Sequence, residues 1–259
     1  MNHQWDPKYY VAHSSIQFEH ARRLYSQHVF AGTERILDIG CGDGKITAAL
    51  SQQVPNGKVV GIDKASSMIA FAETQFPRRS FANLAFEKLD AAELAYENEF
   101  DVIVSFSCLH FIALDTQPKV LQNIRRALKS DGKLLLMLYR KCPAQWAALD
   151  KISNSPPWRS YLSDFTPDFH EYLPDSYQHL LQQAGLGDFT ARFTATEYAT
   201  YDSAERLSEF LKGWLPHLSV IPSELHDVFL MEVVSQYLDN LQLAPGVPVR
   251  TPIVRLEIS

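Results

Sequence analysis

The chain has 259 residues, of which 46% are hydrophobic and 21% charged, with a formal net charge of -6. That length buries a full core and is expected to form one domain over 1–259, and no apolar run approaches the roughly 18 residues a membrane span needs. The acidic balance argues against a surface that tracks nucleic-acid phosphates. Cysteines Cys41, Cys108 and Cys142 lack the paired spacing of a disulfide framework or zinc site, so no metal is expected. The opening "MNHQWDPKYY" has no charged head followed by an apolar core, so cytoplasm is the expected location.

In chain order, the stretch from Trp5 to Gln17 carries Tyr9, Tyr10, His13 and Gln17 ahead of an amphipathic helix with Phe18, Ala21, Tyr25 and Val29 on one face. Ser14 and Gln17 also fit a capping box, a purely structural role. "RILDIG" reads as a buried strand running into a glycine turn, and a helix follows over Lys45 to Gln53. "KVVGID" is the second strand. Ser66 or Ser67 then caps a helix with Ile69, Ala72 and Phe76 at helical spacing. "LAFEKLD" and "FDVIVSFS" give strands three and four, the latter apolar throughout as in a central parallel strand. Asp115 or Thr116 starts the next helix, Asp131-Gly132 ends it, and "KLLLMLYR" is strand five.

Residues 141–175 are rich in Pro, Trp, Ser and Tyr, and within them "NSPPWRSYLSDFTPDF" reads as an irregular, aromatic surface segment. A helix over about 176–184 precedes the alternating run "DFTARFTATEYA". Helices over about 203–213 and 223–242 come next. The closing "VPVRTPIVRLEIS" reads as a strand added antiparallel to the sheet edge. Strands alternating with helices predict an α/β fold, doubly wound around a mostly parallel sheet.

The turn "ILDIGCGDGKIT" holds the chemistry. A strand that ends in a glycine turn before a helix lets a nucleotide-like ligand approach the backbone at the carboxyl edge of the sheet. The dinucleotide fingerprint needs a glycine where this chain has Lys45, and its Gly44 comes one residue early. Asp38 beneath the loop would repel a diphosphate and hold an ammonium group. S-Adenosylmethionine, with an amino group, a carboxylate and a sulfonium but no phosphate, suits Asp38, Gly40, Gly42 and Gly44. Asp63 ends strand two, placed for ribose hydroxyls, and Asp90 ends strand three, placed for the adenine amino group.

"ILDIGCGDG", "GIDKASSMI", "KLDAAEL" and "DVIVSFSCLHF" together resemble the cofactor motifs of class I S-adenosylmethionine-dependent methyltransferases. The outer segments "WDPKYYVAHSS" and "TYDSAERLSEFLKGWLP" look like trans-aconitate methyltransferases, and "DIGCGDG" with "SFSCLHF" looks like juvenile hormone acid methyltransferases. The resemblance implies seven strands in the order 3-2-1-4-5-7-6 with strand seven antiparallel. It implies a cofactor-binding core over 35–140 and an N-terminal lid segment over 1–31 that folds over the cofactor. Because methyl transfer gains from removing water around the nucleophile, the helical insertion over 203–242 is also expected to form part of the substrate lid.

Cofactor contacts are accordingly expected from Tyr10, Gln17, Asp38, Gly40, Cys41, Gly42, Asp63, Lys64, Met68, Asp90, Ala91 and Ser105. Met68 either covers the adenine or packs in the core. Tyr139 and Trp214 are expected at the substrate, and Arg140, Lys141, Lys212 and His217 are further anchors for an anionic one. His110, after strand four, either removes a proton from a hydroxyl or amine acceptor or donates a hydrogen bond to a carboxylate that needs no base. The expected function is methyl transfer to a small organic acid. The alternatives are an O- or N-methyltransferase with His110 as base, a module that only binds the cofactor, and a nicotinamide-dependent oxidoreductase. A small-molecule substrate is the expected partner, with no nucleic acid and no membrane span.

Overall fold

From the amino end of the described residues, 7–244 and 246–259 of this computed structural model, the chain forms α1 (Pro7–His13), α2 (Ser15–Tyr25), β1 (Arg35–Ile39), α3 (Lys45–Gln53), β2 (Lys58–Asp63) and α4 (Ser66–Gln75). It continues through β3 (Leu84–Lys88), β4 (Phe100–Phe106), α5 (Gln117–Ala127), β5 (Leu128–Tyr139), α6 (Pro143–Ser153), α7 (Arg159–Leu162) and α8 (Pro174–Gln183). The last elements are β6 (Ala191–Phe193), β7 (Glu197–Tyr201), α9 (Ala204–Lys212), α10 (His226–Asn240), β8 (Val249–Ile253) and β9 (Arg255–Ile258). These elements divide into two units. A sheet unit takes the chain up to Tyr139, His170–Thr194 and Arg255–Ser259, and a helical unit takes Arg140–Phe169 and Ala195–Val254. Trp5 lies outside the described residues, as does the side chain of His13.

In the sheet unit seven strands pair in the order β3-β2-β1-β4-β5-β9-β6. The pairs from β3 to β5 are parallel, and β9 runs antiparallel to both β5 and β6. This is the expected order, with β9 as its seventh strand. Alternate side chains of each strand point to opposite faces, and both faces are covered. Leu37, Ile39, Ile103, Leu134 and Leu136 pack with Val120, Leu121 and Ile124 of α5 and Tyr177 and Leu181 of α8. Ile36, Val102, Val104, Leu135 and Met137 pack on the other face with Ala21 and Leu24 of α2 and Ala48 and Leu50 of α3. Each such burial contributes about 1.5–3 kcal/mol relative to exposure, so the apolar run of β4 is what fixes it as a central strand.

Several local expectations are corrected. The helix α4 takes Ala65, not Ser66 or Ser67, as its N-cap, because the Asp63 carboxylate accepts from Ala65 N–H at 2.8 Å and turns the chain one residue earlier. Asp131-Gly132 does not end α5. The helix stops at Ala127, and residues 129–132 bulge within β5, since Phe100 pairs with Leu128 while Val102 pairs with Lys133. The final run is two strands. Its second half, β9, lies inside the sheet between β5 and β6 rather than at the edge, and its first half, β8, pairs antiparallel with β7 in a separate two-stranded ladder.

Within the helical unit, residues 154–169 are not an irregular surface segment throughout, since they include α7 and the buried Trp158. Helix α10 packs against α6 and α9. Trp158 is 1% exposed, with its indole N–H donating to Glu232 at 2.6 Å and its ring edge-on to Phe229 at 5.0 Å. Among the described residues no helix is long and apolar enough to cross a membrane.

The start of α3 is under a close-packing constraint. Gly44 has φ +79°, and a Cβ there would lie 2.7 Å from Phe86 and 2.8 Å from Ala72. Gly246 has nearly the same φ, +82°, with nothing within 4 Å. Alanine carries a left-handed backbone cost of about 1–2 kcal/mol at either site, and overpacking adds about 1–3 kcal/mol at Gly44 alone. Urea denaturation should therefore find Gly44→Ala less stable than Gly246→Ala by at least about 1 kcal/mol; equal losses would contradict the packing.

Candidate functional site

The turn after β1 folds back onto the end of β2. Gly40 and Cys41 both donate their backbone N–H groups to the Ile62 carbonyl, at 2.8 and 2.9 Å. Gly40, at φ +74°, has room for no side chain, since a Cβ would fall 2.3 Å from the Cys108 sulfur. Gly42 N–H donates to Asp63 Oδ2 at 3.1 Å, while Asp63 Oδ1 takes Ala65 N–H. One carboxylate thus ties the turns after β1 and β2 together, and each of its oxygens retains a second acceptor direction. Above Gly42 lies Tyr10, whose ring would contact an added Cβ at 3.8 Å.

Asp38 is 2% exposed and accepts from Thr47 Oγ1 at 2.7 Å. Burial raises its carboxyl to about 7; the Thr47 bond opposes the rise, and the charges of Asp63 and Asp43 add to it. Asp63 is also raised, first by burial and also by Asp90, against the lowering effect of its two backbone donors and of Lys64. Asp90 is exposed and caps the short 3-10 turn Ala91–Glu93 by accepting from Ala92 N–H at 2.8 Å, with Ala91 buried beneath it. Lys64 is exposed, whereas Met68 is 2% exposed and sits in the core.

Asp43 is a site residue that the sequence reading missed. It is 5% exposed and accepts from Lys45 N–H at 3.0 Å and from the Ser14 hydroxyl at 3.3 Å, and Lys45 Nζ donates to Ser14 Oγ at 3.1 Å. The Ser14 hydroxyl therefore serves the glycine turn, and it makes no cap bond to α2. The capping box does not form. Gln17, on the same buried face of α2, is 9% exposed, and its Oε1 has no hydrogen-bond partner among the described residues.

At the ends of β4 and β5 the sheet presents a different chemistry. Ser105 is fully buried and its hydroxyl donates to the Ile39 carbonyl at 2.8 Å, so its side chain ties β4 to β1. Ser107 adopts a left-handed φ of +63°, a strain of about 1–3 kcal/mol that such edges tolerate where a turn must present side chains. His110 is 1% exposed, and burial, with His170 beside it, pushes its imidazole down to about 3. The Tyr139 ring stands edge-on to His110 at 6.1 Å, and the Tyr139 hydroxyl lies 2.7 Å from His20 Nδ1. The Tyr10 phenol is raised by burial first and then by Asp43, Tyr139, Asp63 and Cys108, which places it among the ends of β1, β2, β4 and β5. His20 is a second residue the sequence reading missed.

Trp214 belongs to the helical unit. Its ring stands 5.7 Å from Phe169 and 6.3 Å from Phe210, and with Trp146, Leu149, Leu211 and Val233 it lines a cavity of only about 10 Å³, the size of a single water. Lys141 Nζ lies 4.1 Å over the Trp146 ring, and burial with Lys141 nearby lowers His217 to about 4. Lys212 pairs with Asp227 at 2.5 Å. Among the described residues no group of three or more His, Cys, Asp or Glu side chains could hold a metal ion.

The profile of a family described as a methyltransferase domain matches residues 31–185. The chain is 24% identical to the juvenile hormone acid O-methyltransferase of Drosophila melanogaster, covering 82% of this chain and 73% of that one. It is 28% identical to the trans-aconitate 2-methyltransferase of Deinococcus radiodurans, covering 83% of each. Among solved structures, the YcgJ protein of Bacillus subtilis superposes with a TM-score of 0.62 at 17% identity, covering 93% of this chain and 97% of that one, a likeness of fold.

The raised Asp38 predicts a specific pH dependence. Its folded value near 7 lies above the ordinary 3.8, so its contribution to stability is full below about 3.8 and is lost as pH rises through about 7. Asp38→Asn should leave the ligand-free protein's melting temperature nearly unchanged at pH 4 and raise it at pH 8, by the equivalent of about 2–4 kcal/mol. A gain of the same size at both pH values would contradict the assignment.

Proposed function

Given that the chain belongs to the class I S-adenosylmethionine-dependent methyltransferases, we propose that it methylates the carboxylate of a small organic acid. The observation that carries this reading is the buried, neutral His110. A hydroxyl or ammonium acceptor must lose a proton, and a base works best with a pKa near the operating pH. An imidazole held near 3 is far too weak for that work. A carboxylic acid is ionised at neutral pH without help, so an acceptor of this class asks of His110 only a contact that orients it. The relatives named for juvenile hormone acid and trans-aconitate support the same class.

The sheet's carboxyl edge fits the cofactor. Asp38 is a buried acid with no cationic partner among the described residues, the glycine turn keeps its backbone open under Tyr10, and the acids at β1 and β2 would repel a diphosphate. In this reading Asp38 holds the ammonium group, Gly40, Cys41 and Gly42 lie along the amino-acid moiety, Asp63 takes the ribose hydroxyls with its remaining acceptor directions, and Asp90 with Ala91 and Lys64 meets the adenine. Tyr10 and Gln17 close over these contacts as part of the N-terminal lid segment. Ser105 and Met68 support the edge from below by packing and by the bond to Ile39. Bound there, S-adenosylmethionine supplies a methyl group on a positively charged sulfur. The protein's part is to orient the acid and strip water from its carboxylate. Tyr139 is assigned to that carboxylate.

A panel of trans-aconitate, benzoate and octanoate, with phenol and benzylamine as proton-bearing counterparts, should yield S-adenosylhomocysteine only with acids. Turnover of phenol or benzylamine above all three acids would overturn the reading. With acid and cofactor saturating, kcat should show no ionisation near 6.5, because His110 stays neutral above about 3. A rise in kcat between pH 5.5 and 7.5 that His110→Asn removes would make His110 a base after all.

A further inference from the structure

His20 projects from the buried face of α2, 6% exposed, and its Nδ1 lies 2.7 Å from the hydroxyl of Tyr139, the last residue of β5. The two rings are 5.9 Å apart and inclined at 47°. The pair bridges 119 positions of sequence, so it joins the N-terminal helices to the carboxyl edge of the sheet. Either group can be the donor: an imidazole Nδ1–H can give its proton to the phenol oxygen, or its lone pair can take the phenol proton. The distance is the same in both cases, but the consequence for an acid is opposite. With His20 as acceptor, the phenol turns its proton toward the imidazole and presents lone pairs to whatever lies beyond. A carboxylate is acceptor-only, and two sets of lone pairs repel.

We propose that His20 adopts the Nδ1–H tautomer and donates to Tyr139, so that Tyr139 in turn donates its hydroxyl proton to the carboxylate of the methyl acceptor. His20 is then a positioning residue, since it acts on the acid through Tyr139. Donors in series polarise one another, so the bond from His20 strengthens the bond that Tyr139 makes. The inference rests on the reading of Tyr139 as an acceptor contact, and the same experiment separates the two.

Asparagine and aspartate have nearly the same shape, but the amide of asparagine can donate to Tyr139 and the carboxylate of aspartate cannot. The probe is the most active acid among trans-aconitate, benzoate and octanoate, with S-adenosylhomocysteine affinity by calorimetry as a second readout. His20→Asn should keep KM for the acid within about threefold, whereas His20→Asp should raise it by about tenfold or more, with kcat and S-adenosylhomocysteine affinity nearly unchanged. In a Tyr139→Phe background the difference between the two should vanish. If His20→Asp fails to fold, His20→Leu replaces it as the variant without a donor. Equal KM values for the two variants, or a difference that persists without the Tyr139 hydroxyl, would overturn the inference. If Tyr139→Phe alone leaves KM unchanged, the reading of Tyr139 falls and the inference with it.

Discussion

The fold places the Asp38 carboxylate where almost no water reaches it, with two further carboxylates near enough to raise its affinity for a proton. Burying an ionised carboxylate costs several kcal/mol unless donors or a cation compensate. Thr47 compensates in part. The remainder is met by a proton at neutral pH, or by a positively charged ligand that displaces it. An edge with this balance discriminates by charge before it discriminates by shape. It favours a nucleoside that brings a cation and disfavors one that brings a diphosphate, although both could use the same glycine turn.

Holding like charges together at one edge requires that the backbone around them be fixed. Asp63 accepts from the turns after β1 and β2, Gly40 and Cys41 donate to the end of β2, and Ser105 ties β4 to β1. Asp43 binds the Ser14 hydroxyl at the junction of α1 and α2. These bonds all come from the protein's own groups, so the fold itself holds the turn. On the far side of the same edge burial strips His110 of its charge beside the Tyr139 ring, so His110 does not compete there as a base for a proton.

Much of this was legible in the sequence because the signals are local. The strands β1 to β5 announce themselves by short apolar runs between glycine turns and helical periods, and Asp38, Asp63 and Asp90 follow from their places at strand ends. Asp43 and His20 were not legible, because their roles depend on partners 29 and 119 residues away. Residues 154–169 read as irregular for a similar reason. Trp158 is buried by Glu232 and Phe229 of α10, 74 residues from its hydrogen-bond partner, and no local period reports that contact. Asp131-Gly132 carries a turn signal that the structure uses for a bulge inside β5, a choice made by the pairing with β4. The Ser14–Gln17 pattern matched a helix cap, yet the hydroxyl found a stronger acceptor in a buried carboxylate.

On the proposed reading, Asp38 exchanges its proton for the cation of S-adenosylmethionine when the cofactor binds. Calorimetric titration of S-adenosylmethionine at pH 7, repeated in buffers of different ionisation enthalpy, measures the protons released on binding. The wild type should release about half a proton more than Asp38→Asn, as expected for a carboxyl half-protonated near pH 7 and ionised in the complex. Equal proton release by the two proteins, with the cofactor bound by both at similar affinity, would contradict the account.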